Sequence, residues 1–184
     1  MEIPSLPNFP DKGILQFYIA ADDLYGMNFD DQQQQSGFRV LYFDHVIEDT
    51  SQLRQDFSEF ELSEEDYLPF TGQYSVQFKL EQQPISLSDH EFNIGDGTDE
   101  FYNAYGETFL AMGHRLSGYP YFTQSDPRGD KKNIQDYILL FQLDTDDAEN
   151  EIMWGDSGVG NFFIHPEDLK KRDFSKVFYN WDCC

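Results

Sequence analysis

A chain of 184 residues, 39% apolar and 17% aromatic, is long enough to bury one substantial core, and this composition excludes an intrinsically disordered protein. Its 35 acidic and 12 basic side chains give a formal charge of −23, which disfavours phosphate backbones and anionic lipid as direct ligands and favours a basic protein partner. No run approaches the ~20 apolar residues of a membrane span, residues 1–11 lack the regions of an export signal, and Cys183 and Cys184 are adjacent and too strained to pair with each other, so a reducing, cytoplasmic setting is expected.

The charge is uneven along the chain. Residues 1–114 hold 22 acids and 4 bases, and the remainder 13 acids and 8 bases. An acidic body with a more mixed C-terminal face is expected.

In chain order, Gly13 opens a β-prone apolar run, Ile14–Ile19, that reads as a buried strand. A polar loop, Asp30–Gly37, leads to a second strand over Phe38–Phe43. Residues 48–68 contain eight acids and no aligned apolar stripe, and read as an irregular solvated connection. Tyr74–Glu81 alternates apolar and polar residues at period two, predicting a strand with one wet face that ends before Pro84.

Ser88-Asp89-His90-Glu91 fits a capping box, predicting a short helix that Gly95 and Gly97 break. A longer helix follows, with Thr98 as N-cap, Asp99 and Glu100 in its first turn, and Phe101, Tyr105, Phe109 and Met112 on a face expected to cover the sheet. Residues 114–128 form a loop by their Gly and Pro content, yet are rich enough in aromatics to be packed down. Tyr137–Leu143 is the most continuous apolar run and predicts a central strand buried on both faces. Ile152–Trp154 and Val159–Ile164 flank Gly155-Asp156-Ser157-Gly158 and predict a hairpin. Pro166 suits the first turn of a short helix, and Phe174–Trp181 a last strand.

Three motifs bear on chemistry. Gly155-Asp156-Ser157-Gly158 is similar to the nucleophile loop of trypsin-like proteases, but none of His45, His90, His114 and His165 stands in a triad context, so a tight turn is the reading. Asp144–Glu151 clusters carboxylates, but has no Gly at the sixth position and no Glu at the twelfth, which excludes an EF-hand loop. His114 and Arg115 follow a helix end, where their charge complements the helix dipole. The sharper alternative is that His114, Arg115, Tyr119, Tyr121, Trp154 and Asp156 converge into one polar and aromatic binding pocket.

These segments together resemble the YwqG-like family, a largely bacterial domain family of unknown function. The residues behind the resemblance are Gly13–Ile19, Gly37–Phe43, His114–Pro120, Leu139–Asp144, Met153–Gly158, Asn161–Ile164 and Tyr179–Cys183. The resemblance implies a single α+β domain over residues 1–184, built on a mostly antiparallel sheet covered by a few helices. It supplies no activity, cofactor or catalytic residue. It also implies a further upstream segment with its own strand, which this chain does not contain, so an unpaired sheet edge is expected.

Two functional readings follow. The first is a non-catalytic acidic binding protein that occupies a basic protein partner, in the manner of an immunity protein against a basic toxin. The second is a small-molecule-binding protein or enzyme that uses His114 as proton carrier, Asp156 as its orienting carboxylate and Trp154 as a pocket wall.

Overall fold

Gly26 and Gly37 pass so closely that a Cβ on Gly26 would lie 1.9 Å from the Gly37 carbonyl oxygen. That oxygen accepts from Ala20 N at 2.7 Å. This contact closes the long connection between strands β1 (Ile14–Ile19) and β2 (Phe38–Phe43), which pair antiparallel in register from Ile14↔Phe43 to Ile19↔Phe38. The computed structural model describes residues 4–60, 62–63, 66–146 and 151–184.

The remaining strands are β3 (Arg115–Leu116), β4 (Ile138–Asp144), β5 (Val159–Ile164) and β6 (Phe178–Asp182), and they form an antiparallel sheet in the order β3-β4-β5-β6. The α-helices among the described residues are α1 (Asp99–Thr108) and α2 (Pro166–Lys171), so the chain is a mostly antiparallel α+β body with two short helices.

Every residue of β5 is buried, so both faces of the sheet must be covered. On one face, Phe162, Ile164, Tyr179 and Trp154 pack against Phe38, Val40 and the partly buried Phe17 of the hairpin, with Leu169 of α2 closing the end. The rings of Phe162 and Tyr179 stack at 4.6 Å, and Phe17 lies 4.6 Å from Phe141. On the other face, Phe163, Phe178 and Leu139 meet Phe122, Ile134 and Tyr137 from irregular chain. Leu139 joins this second cluster and Leu140 the first by ordinary alternation, and a register shift between Leu139 and Phe141 lets Phe141 pack on the first cluster as well.

Several sequence expectations are corrected. The helix over Asp99–Thr108 forms, with Thr98 Oγ1 accepting from Phe101 N at 3.2 Å, but none of its residues is buried and it does not cover the sheet. Its aromatics pack on one another and on Phe92 instead, with Tyr105 and Phe109 rings 4.9 Å apart. Tyr74–Glu81 forms no strand, because no strand lies alongside to share a ladder, and Val76 and Leu80 are left 65% and 62% exposed. Residues 88–91 make turns rather than a helix, because the Asp89 carboxylate takes the Glu91 N–H that a helix would use.

β1 is only half-buried, since it lies in a two-stranded ribbon with one covered face. β4 keeps alternating half-buried positions, and β5 is the strand buried throughout. β5 pairs with β4 and β6 rather than with residues 152–154, which rejoin the fold through a bridge between Ile152 and Asp146. His165 caps α2 by accepting from Glu167 N at 3.2 Å, a role its residue type did not suggest.

Trp154 is the largest side chain buried below 2% exposure, and Gly160 on β5 makes room for it. A Cβ at residue 160 would stand 2.4 Å from the indole Cζ2. Gly160→Ala is therefore expected to destabilise the fold by about 1–3 kcal/mol through overpacking, read as a lower midpoint in chemical denaturation, whereas an unchanged midpoint would mean the indole relocates freely.

Candidate functional site

Buried polar side chains are concentrated on the second face of the sheet, where irregular chain must be held without a ladder of its own. Gln142, Asn161 and Asn180 stand side by side on β4, β5 and β6. Gln142 Nε2 donates to the carbonyls of Ala111 and Gly113 at 3.0 and 2.7 Å, while its Oε1 accepts from Tyr121 N at 2.8 Å. Asn161 Nδ2 donates to the Tyr121 carbonyl at 2.8 Å, and Asn180 Oδ1 accepts from the side chain of Gln32 at 2.7 Å.

Two carboxylates extend the pattern. Asp144 accepts from Gly113 N at 2.5 Å, and Asp182 accepts from Thr123 N and Gln124 N at 3.4 and 2.9 Å. These side chains meet the hydrogen-bonding demand of the loop backbone, which is the condition for burying a loop at all.

The residues expected to converge on one pocket are divided by this arrangement. His114 Nδ1 accepts from Asp144 N at 3.1 Å and its Nε2 lies 3.7 Å from Asp146, so its acidic neighbour is Asp146 and not Asp156. Arg115 donates to Gln83 Oε1 and to the Met112 carbonyl, both at 2.5 Å, and to the Tyr119 carbonyl at 3.4 Å. Burial pushes the Arg115 guanidinium below its ordinary value, with Asp144 and Glu81 acting the other way. Burial likewise raises the Tyr121 phenol, and Asp144 adds to the rise.

Trp154 lies in the opposite cluster, 5.5 Å from Tyr25 and 1% exposed, with its Nε1 unpartnered. Asp156 and Ser157 are exposed in the following turn, where Gly158 N donates to the Trp154 carbonyl at 2.7 Å. The indole is buried because Gly160 leaves space beneath it, a constraint that residue type alone does not reveal. Of the carboxylate-rich segment 144–151, residues 147–150 lie outside the described residues.

Sequence reasoning passed over a second cluster. Arg128 is buried and donates through Nη2 to Asp89 at 2.7 Å and to Asp126 at 2.6 Å, through Nε to Asp126 at 3.0 Å, and through Nη1 to the Tyr137 carbonyl at 2.7 Å. Its guanidinium also sits 4.6 Å over the Phe163 ring. Asp126 accepts in addition from His90 N and Arg128 N, and Asp89 from Glu91 N.

Ligand atoms of Asp89, His90 and Asp126 lie within 4.8 Å of one another, a spacing that suits a cation. The guanidinium, however, already bridges the two carboxylates. Beside the cluster opens a cavity of about 240 Å³, lined by Asp89, His90, Tyr119, Arg128, Gln135 and Tyr137 among others. Tyr119 is the one member of the expected pocket that reaches it. The signal available in the sequence was a base within two residues of an acid, Asp126-Pro127-Arg128, in a chain short of bases.

Residues 1–183 match the domain of unknown function DUF1963. The chain belongs to that family. No curated protein matches it. Among the described residues, no helix is long and apolar enough to cross a membrane.

Two measurements probe these DUF1963 clusters. Arg128→Met removes the bridging cation and leaves two buried carboxylates facing each other, a loss expected to be about 3–5 kcal/mol at neutral pH. One carboxylate of the bare pair would then hold a proton more tightly folded than unfolded, so the deficit should shrink on acidification, and a pH-independent deficit would argue against the arrangement.

Burial raises the Asp182 carboxyl above its ordinary range, opposed by the Gln124 and Thr123 donors and reinforced by Asp144. A raised carboxyl contributes stability that is full below its unfolded pKa and lost as pH rises through the folded value. The unfolding free energy of the natural protein relative to Asp182→Asn should therefore decline between about pH 4 and neutral pH, and a flat difference would contradict the shift.

Proposed function

We propose that this DUF1963 protein is a non-catalytic binding module, cytoplasmic and of the YwqG-like kind, that occupies a basic protein partner through its acidic and aromatic segment 44–81. The supporting observation is the exposure of that segment's large apolar side chains. Phe57, Phe60, Val76 and Leu80 are each at least 60% exposed. They lie in a stretch with ten acids and two bases.

Isolated exposed apolar residues are ordinary, but a succession of them along one acidic segment is the composition of a recognition surface. The aromatics supply contact area at low entropic cost, and the carboxylates steer a cationic partner and select against anionic ones. Asp49, Asp56 and Asp66 are held below the usual carboxylate range by hydrogen bonds, from Ser51 and Gln52, from Ser58 and from Ser63 respectively. Occupation of a basic toxin by an immunity-like protein is one form such binding takes.

The alternative of an enzyme or ligand sensor built on His114, Trp154 and Asp156 has less support, because the indole is buried away from the turn that holds Asp156.

The test is capture on the immobilised protein followed by titration with the purified basic partner so identified, at about 50 and 500 mM salt. Affinity should fall at least tenfold at the higher salt, and tenfold or more in a Phe57→Ser, Phe60→Ser variant that unfolds at the same denaturant midpoint as the natural protein. The absence of any basic partner, or binding indifferent to both salt and the substitutions, would refute this reading.

A further inference from the structure

A notch opens between β2 and the connection from α2 to β6. The cavity there measures about 260 Å³ and is lined by Gln35, Arg39, Tyr42, Arg172, Phe174 and Ser175 among others, none of them acidic. Arg39 and Arg172 form no ion pair among the described residues, although the chain holds nearly three acids for every base. Both guanidinium groups therefore reach the notch without a carboxylate to neutralise them.

The walls are built rather than loose. Gln35 Nε2 donates to the Phe174 carbonyl at 2.6 Å and its Oε1 accepts from Val40 N at 3.3 Å, so one side chain ties the two sides of the notch together. The Tyr42 hydroxyl donates to the Lys12 carbonyl at 2.8 Å, which fixes the ring. The Arg172 guanidinium lies 5.6 Å from the centre of that ring, and Arg39 donates to the Gln35 carbonyl at 3.2 Å. Asp173, the nearest acid in sequence, is occupied by Ser175, whose side chain and backbone N–H hold it below the usual carboxylate range.

Arg172 also occupies a backbone position that favours another residue. It caps α2 in the left-handed region at φ 60° and ψ 32°, where glycine is the unstrained choice. Replacement of Arg172 by glycine would therefore relieve the backbone while removing the guanidinium.

We propose that this notch binds a phosphoryl-type oxyanion, either inorganic phosphate or the phosphate monoester of a small molecule. Two guanidinium groups supply forked donors whose geometry and charge match a dianionic phosphate better than a single carboxylate. The surrounding negative field excludes polyanions such as nucleic acid, so the ligand must be small enough to enter the notch alone.

The experiment follows the arginine side-chain Nε–H resonances of the ¹⁵N-labelled full chain during titration with inorganic phosphate, phenyl phosphate and benzoate at constant ionic strength. Saturable shifts are expected at Arg39 and Arg172 with both phosphates, with at least tenfold weaker binding of benzoate and no shift at Arg54 or Arg128. Arg39→Gln should weaken phosphate binding at least tenfold. Arg172→Gly should abolish it while raising the melting temperature of the ligand-free protein, which separates loss of the site from loss of the fold. Shifts that never saturate, equal binding of benzoate, or phosphate binding that survives Arg172→Gly would each overturn the proposal.

Discussion

A strand buried along its whole length imposes two covers, and most of this molecule is the answer to that requirement. β5 presents Phe162 and Ile164 to one side and Asn161 and Phe163 to the other. The first side is met by the β1–β2 ribbon, whose strands pair with each other and offer apolar side chains to β5. The second is met by chain from Ala111 to Tyr137, whose peptide groups outside the two-residue β3 have no ladder. Gln142, Asn161, Asp144 and Asp182 are polar for that reason, since a buried peptide group left unpaired costs more than one bonded to a side chain.

The same requirement accounts for Arg128. It bridges Asp89 and Asp126, reaches the Tyr137 carbonyl at the start of β4, and rests on Phe163 of β5, so one cation ties two turns to the sheet. The spacing that would suit a metal is thus used for a guanidinium, which bonds to several acceptors in one plane and cannot lose its charge. Basic residues in this chain are few, and their placement is correspondingly informative. Arg128 is consumed by structure, whereas Arg39 and Arg172 are left facing a cavity.

The strands and caps were legible in the sequence where the signal is local. Thr98 as N-cap depends on residues three positions away, and Pro166 at a helix start depends on its own ring, so neither needs the rest of the chain. The faces were less legible. The period of Phe101, Tyr105 and Phe109 identifies an apolar side of α1 but not what it meets, and those rings turned to one another and to Phe92. The alternation of Tyr74, Val76, Phe78 and Leu80 marks a segment able to pair, and pairing requires a partner strand that this fold does not place beside it. The expected site suffered in the same way: His114, Trp154 and Asp156 are close in type and in loop position, yet Gly160 draws the indole to the opposite face of the sheet.

By itself, the sequence determined the acidic charge, the α+β class, four of the longer strands to within a few residues and the start of both helices, because each depends on composition or on neighbours along the chain. Only the tertiary structure decided which strand is central, which carboxylates are buried and paired, and which arginines are free, because burial and ion pairing depend on residues tens of positions apart. Asp89 and Arg128, separated by 38 other residues, meet at 2.7 Å. No periodicity along the chain encodes that meeting, and it arises only when two turns are pressed onto the same face of one sheet.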